Sequence, residues 1–273
     1  MIPFGSGDPM SELLIQDDDA VRVLTMNRPE KRNALNLTLS EALFDALREA
    51  DRAESVRAMV LTGAGPAFCA GADLVEFAGL ESARLALVER RANITAKLHG
   101  VFSQLTKPVV TAINGAAMGG GCEIALACDI RIISDTATIG LPEIRFGALP
   151  AGGGTQRLPR LVGAGVAKEM IFSGLPWTAE DAFRVGLVNR VAPASELIEK
   201  CEKIARVYIE RAAYALKTAK QLVNRGVELT LKDGIALERK MIAEMATPAE
   251  RKEAQDRAAA TQKTYARIFE KRS

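Results

Sequence analysis

The chain has 273 residues, 48% hydrophobic and 26% charged, and its 36 basic and 34 acidic side chains leave a net charge of +2. That length holds one large domain, or one domain with an appendage, and the composition is that of a globular protein. With a single histidine, His99, the chain has no HExxH zinc motif and no site with several imidazole ligands, and a histidine-based triad has only that residue to use.

The near-neutral balance gives no reason to expect nucleic-acid or membrane-surface binding. The charge is uneven, however: residues 201–273 carry 16 basic and 10 acidic side chains, a balance of +6, which leaves −4 on residues 1–200. A basic C-terminal part suits an anionic ligand or an acidic neighbouring subunit; solvated helix faces are the plainer reading. Cys69, Cys122, Cys128 and Cys201 have no CxxC spacing and no nearby histidine, so buried free thiols and a reduced, cytoplasmic location are expected. Residues 1–9 have neither a basic start nor an apolar core, and read as a flexible leader or vector-derived remnant before Met10. The uncharged stretches are too short and too glycine-rich to span a bilayer.

In chain order, Val21–Met26 is rich in β-branched residues and reads as a strand, broken by Arg28-Pro29. Leu39, Leu43, Ala46 and Leu47 recur at helical spacing and predict a helix to about Ala53, with Thr38 as N-cap and Glu41 three residues on. Ala58–Thr62 reads as a buried strand entering the turn Gly63-Ala-Gly-Pro66, and a helix is expected to start near Asp73. A long helix containing His99 is predicted over about 82–105. Pro108–Ile113 is the next strand, then a glycine run within 116–127 opens an apolar helix, and 129–133 is a strand again. Beyond Gly154 the strands mostly stop and helices cover about 155–162, 164–172, 179–185, 195–211, 213–224, 231–246 and 249–270. The pattern predicts a layered α/β core with a helical C-terminal appendage, and no fixed-period repeat is found.

Familiar nucleotide and hydrolase signatures are missing: no P-loop, no GxGxxG after a strand, no GxSxG elbow. Two runs stand out instead, Phe68-Cys-Ala-Gly-Ala-Asp73 and Ala117-Met-Gly-Gly-Gly-Cys-Glu123. Each follows a buried strand, is built of small residues and leads into a helix. Small residues let a ligand approach the backbone, and a helix start offers unpaired N–H groups. Two such starts facing one point would make an oxyanion hole; tight strand–helix packing is the alternative. Glu123, in a first helical turn, and Glu143, after Pro142, could serve as capping and surface residues. Beside an oxyanion hole they would form an acid–base pair, with burial raising the pKa of one. His99 is placed mid-helix, away from both runs, and Asp73 reads as a cap rather than a catalyst.

Taken together, Asn27–Asn36, Phe68–Asp73, Lys107–Gly115, Gly119-Gly-Gly-Cys-Glu123, Cys128-Asp129, Pro142-Glu143 and Gly152-Gly-Gly-Thr-Gln-Arg-Leu158 resemble the crotonase family, the enoyl-CoA hydratase/isomerase superfamily. The resemblance runs from about Leu13 to Val191 and more weakly beyond. It implies an α/β fold made of a spiral of ββα units, with the active site in residues 10–195 and a helical trimerisation region in 196–273. It implies an acyl-CoA thioester substrate, no separate cofactor or metal, and a homotrimer or dimer of trimers. By the same resemblance the N–H groups of Ala72 and Gly120 form the oxyanion hole. Glu123 and Glu143 hold the water added across a 2-enoyl thioester, and Ala34, Ala70, Asp73 and Leu74 line the path of CoA. Lys263, from a neighbouring subunit, would reach the CoA phosphates. Enoyl-CoA hydratase is the first reading. An isomerase or another acyl-CoA hydrolase or lyase of the same fold, and a non-catalytic acyl-CoA-binding subunit, are the alternatives. Val75 and Leu141 stand where family members often carry lysine and a polar residue.

Overall fold

The structure is a computed structural model, and it describes residues 11–76 and 85–261. These fall into two compact units, divided between Arg206 and Val207.

The first unit is built on two sheets. In chain order its strands are β1 (Leu13–Asp18), β2 (Val21–Met26), β3 (Ala58–Gly63), β4 (Ala67–Cys69), β5 (Val109–Ile113), β6 (Ala116–Met118), β7 (Ile130–Ser134), β8 (Thr138–Gly140), β9 (Trp177–Thr178) and β10 (Arg190–Ala192). The larger sheet has the order β1-β2-β3-β5-β7-β10 and the smaller β4-β6-β8-β9. Successive strand pairs therefore split: β3, β5 and β7 enter the large sheet while β4, β6 and β8 enter the small one. Neighbours within each of these sets run parallel. Each turn of the chain adds one strand to each sheet before its helix, which is the spiral expected.

The central strands of the large sheet are legible because both faces are covered. Every residue of β3 and β5 is buried, so each reads as a continuous apolar run instead of an alternating one. The small-sheet strands β4, β6 and β8 are three residues each, of mostly small side chains. Residues 116–118, read from sequence as the run opening a helix, pair with β4 and β8 before α3 (Gly120–Ala127) begins. β9 and β10 are short additions at the ends of the two sheets, antiparallel to β8 and parallel to β7.

The helices of this unit are α1 (Leu37–Arg52), α2 (Leu85–Val101), α3, α4 (Gly154–Val162), α5 (Ala164–Ser173) and α6 (Ala179–Arg184), with α7 (Leu197–Ile209) at its end. The buried stripe of α1 is Leu39, Leu43, Ala46, Leu47 and Ala50, one face of a 3.6-residue repeat. Its N-cap is Asn36, not Thr38. The Asn36 side chain accepts the Leu39 N–H at 2.8 Å, and Thr38 is already inside the first turn. An asparagine cap of this kind contributes about 1 kcal/mol. All four cysteines are buried free thiols.

The second unit contains α8 (Ala213–Gly226), α9 (Leu231–Glu244) and α10 (Pro248–Thr261). Thr230 caps α9, and before α10 Thr247 and Glu250 exchange hydrogen bonds in a capping box. Val223, Val227 and Leu231 are exposed on this unit. Among the described residues no helix is long and apolar enough to cross a membrane.

Candidate active site

The segment 27–36 forms one wall of the site. Arg32 and Asn33 both adopt left-handed backbone conformations, φ 50° and 55°. Asn33 secures that bend from within: it is fully buried, accepts the Arg28 N–H at 2.8 Å and donates to the carbonyls of Ala64 and Ala67 at 2.9 and 2.8 Å. The bend brings 32–35 alongside 70–73. Ala70 N–H donates to Arg32 at 2.9 Å, Leu35 N–H to Gly71 at 2.7 Å and Asp73 N–H to Leu35 at 3.1 Å. Leu35 and Ala72 thus form a parallel bridge. Such a bridge uses the carbonyl before Ala72 and the amide after it, and turns the Ala72 N–H to the opposite side.

β4 and β6 are parallel neighbours, so the chain segments that follow them emerge side by side. After β4, Asp73 accepts the N–H groups of Val75 and Glu76 at 3.1 and 3.3 Å, capping a helical turn. It also pairs with Arg28 at 3.0 Å. After β6, Gly119 turns the backbone at φ 51° and ψ −121° and α3 starts at Gly120. That conformation is open to glycine and costly for other residues. Close approach follows: a Cβ on Gly120 would lie 3.9 Å from the Ala72 nitrogen, and one on Gly71 only 3.3 Å from the Gly120 nitrogen. The N–H of a first helical residue has no partner within its own helix. The Ala72 and Gly120 backbone nitrogens therefore lie in one small neighbourhood.

Both glutamates reach the same neighbourhood from different elements. Glu143 opens a 3-10 turn, Glu143–Phe146, after Pro142. Its Oε1 lies 3.0 Å from the position a Cβ on Gly119 would take. Its Oε2 is buried and has no hydrogen-bond partner among the described residues. Burial pushes its pKa up from 4.5 to about 6; its own backbone N–H opposes the rise and the negative charge of Glu123 adds to it. Glu123, in the first turn of α3, is 3% exposed, and its Oε1 accepts the Gly154 N–H at 2.8 Å. Burial raises its pKa too, but the Gly154 and Gly152 amides and the Arg157 guanidinium pull it back.

The sequence places His99 away from these runs; the structure corrects this. A Cβ on Gly152 would stand 2.6 Å from Glu123 Oε2 and 2.7 Å from the His99 ring. The imidazole thus packs on the segment that holds Glu123, because residues 152–154 fold back over the end of α2. Burial, and then the Arg157 charge, lowers the His99 pKa to about 4, so the ring is neutral near pH 7. Sequence reasoning also passed over Arg157. Its signal is an arginine one turn beyond three consecutive glycines at a helix start.

The other predicted positions differ in their exposure. Ala34 is buried and its carbonyl accepts Arg28 Nη1 at 2.5 Å. Ala70 is exposed, and Leu74 is 66% exposed, beside the Ala72 bridge. Lys263 lies outside the described residues. Leu141 is fully buried, and its side chain, like that of Pro150, abuts Gly154 beside Glu123.

The enoyl-CoA hydratase/isomerase family model matches residues 16–266. The chain is 38% identical to the short-chain-enoyl-CoA hydratase of Clostridium acetobutylicum over 90% of its own length and 93% of the relative's. It is 39% identical to the 2,3-dehydroadipyl-CoA hydratase of Escherichia coli over 89% and 94%. Among solved structures, the enoyl-CoA hydratase of Bacillus anthracis superimposes with a TM-score of 0.85 at 35% identity, covering 92% of this chain and 96% of that one. Two strand-to-helix turns brought close together, a pair of glutamates beside them and a family match over most of the sequence lead to one assignment: the chain belongs to the enoyl-CoA hydratase/isomerase, or crotonase, family.

Proposed function

We propose that the protein is an enoyl-CoA hydratase, adding water across the double bond of a 2-enoyl-CoA thioester. The observation that carries this reading is the placement of the Glu123 and Glu143 carboxyl groups beside the neighbouring Ala72 and Gly119–Gly120 backbone.

The thioester oxygen sits between the N–H groups of Ala72 and Gly120. As water adds to Cβ, charge moves from the double bond onto that oxygen, and fixed donors stabilise it as an enolate without reorganising. Glu123 is oriented by the amides that hold its carboxylate, and it takes a proton from the attacking water. Glu143, held near pKa 6 by burial, delivers a proton to Cα. The product is the 3-hydroxyacyl thioester, and the pair returns to its starting charge after one proton exchange. No separate cofactor takes part, because CoA arrives as part of the substrate.

The CoA moiety follows the edge formed by Ala34, Ala70, Asp73 and Leu74. Lys263 of a neighbouring subunit is proposed to meet its phosphates, in keeping with the +6 balance of residues 201–273. The assembly is a trimer or dimer of trimers in the cytoplasm, with residues 10–195 as catalytic core and 196–273 as oligomerisation region.

Purified protein should hydrate crotonyl-CoA. Glu123→Gln and Glu143→Gln should each lower kcat by about 10²–10⁴-fold, while CoA binding persists. Wild-type turnover in both variants refutes the mechanism. Double-bond migration in a 3-enoyl thioester without hydration would identify an isomerase, and binding without turnover across a thioester panel an acyl-CoA-binding subunit.

A further inference from the structure

Arg157 lies on α4, one turn into the helix, and its side chain folds back over the helix start. Nη1 donates to the Gly152 carbonyl at 2.7 Å and Nη2 to the His99 carbonyl at 2.6 Å. The second acceptor belongs to the last turn of α2, where carbonyls lose their helical partners and the dipole end is negative. The guanidinium occupies the space a side chain on Gly153 would need, and Gly153 itself sits at φ 108°. One planar fork therefore ties α2 to the 152–154 backbone, a geometry that a point-charge ammonium does not reproduce. From that backbone Gly154 N–H donates to Glu123 at 2.8 Å.

We propose that Arg157 is a positioning residue for Glu123: it clamps the Gly152–Gly154 backbone to the end of α2, and that backbone holds the carboxylate. The inference rests on the hydratase reading for its kinetic consequence, but not for its physical one. Arg157 makes no hydrogen bond to Glu123 itself, so it acts through the loop and through its charge. The other groups facing Glu123 cannot replace that charge. Glu143 from the 3-10 turn is anionic or neutral. The Cys122 thiol of α3 is pushed up by burial and stays protonated. The His99 ring of α2 is neutral, with an unpartnered buried Nδ1. Arg131 of β7, which faces Cys122, donates to the carbonyls of Ala125, Cys128 and Leu187.

The test pairs Arg157→Gln with Arg157→Lys. Glutamine removes clamp and charge. It should lower kcat on the order of 10²-fold, the scale of a displaced reacting group, with KM within about threefold of wild type. The acidic limb of the kcat–pH profile should move to higher pH, because loss of the cation favours protonated Glu123. Lysine keeps the charge and loses the fork, so kcat should fall while the acidic limb stays in place. Wild-type kcat in either folded variant overturns the proposal, as does a loss confined to KM. A second readout needs no turnover: ¹³C-carboxyl NMR, assigned with Glu123→Gln, should show Glu123 titrating at higher pH in Arg157→Gln. An unmoved titration overturns the proposal even if the protein hydrates enoyl thioesters. A moved titration in a protein without hydratase activity overturns the functional reading alone. If Arg157→Gln fails to fold, Arg157→Lys decides the clamp by kcat.

Discussion

Glu123 and Glu143 are the same residue type, Glu123 buried at the start of α3 and Glu143 half-buried against Gly119 just before it, yet their surroundings differ. Glu123 sits in a helical first turn and is met by backbone N–H groups from a loop that an arginine clamps. Glu143 sits on a short 3-10 turn, with one buried oxygen unpartnered. Burial raises both pKa values, but only Glu123 has donors and a cation from other elements to offset it. On the proposed mechanism, one side-chain type would supply both halves of an acid–base pair. The donor set favours the charge on Glu123, and the barer Glu143 holds its proton to a higher pH than a free carboxyl group does, with a pKa of about 6.

The hardest test of that division is the double variant. If both groups serve one transition state, Glu123→Gln/Glu143→Gln should lose little more than the worse single variant, a loss of about 10²–10⁴-fold in all. Multiplying losses, read in single-turnover assays, would mean that the two act in separate steps. The glycines give a finer test. Gly152→Ala drives a methyl group into Glu123 Oε2 and the His99 ring, at 2.6 and 2.7 Å. It should cost on the order of 10²-fold in kcat with folding largely intact. Gly119→Ala strains a backbone at φ 51° before it presses on Glu143. It should therefore also lose about 1–3 kcal/mol of stability in denaturant titrations. Equal stability losses would erase the distinction between a carboxylate held by a loop and one laid over a turn.

The smallest effect is on stability against pH. Glu143 binds its proton more tightly folded than unfolded, with a pKa of about 6 against 4.5. Its contribution is therefore greatest at low pH and is lost as pH rises through that window. Glu143→Gln removes the titration, so its melting temperature should exceed that of the wild type most clearly at pH 8 and least at pH 4. A constant difference between the two proteins would mean that burial does not hold the Glu143 proton.

The sequence made the four inner strands of the large sheet readable and hid its edge strands β1 and β10 along with the small sheet. β3 and β5 announce themselves as apolar runs covered on both faces, whereas Ala67–Cys69, Ala116–Met118 and Thr138–Gly140 are too short to show a period. Resemblance of whole motifs, not periodicity, brought the spiral into view. The amide pair and both glutamates were legible as candidates because small residues before helix starts have a stated chemistry. His99 and Arg157 were not, since what gives them meaning is residue 152 folding against α2, a contact between distant parts of the chain. Asn36 outcompeted Thr38 for the cap because its longer side chain, one step before the helix, reaches the Leu39 amide.

The alternation of strands between two sheets also bears on how the protein is made. The Ala72 amide comes from one turn of the spiral, Gly120 and Glu123 from the next, and Glu143 from the turn after that. Neighbours such as Met59 and Val109 meet only after a long stretch of chain has closed between them, and contacts of that kind form slowly. A nascent chain emerging from the ribosome can therefore pair β3 with β5 and still hold no catalytic centre. Hydratase activity, followed during refolding or synthesis, should be the last property to appear, a clock that starts only when the third turn has docked.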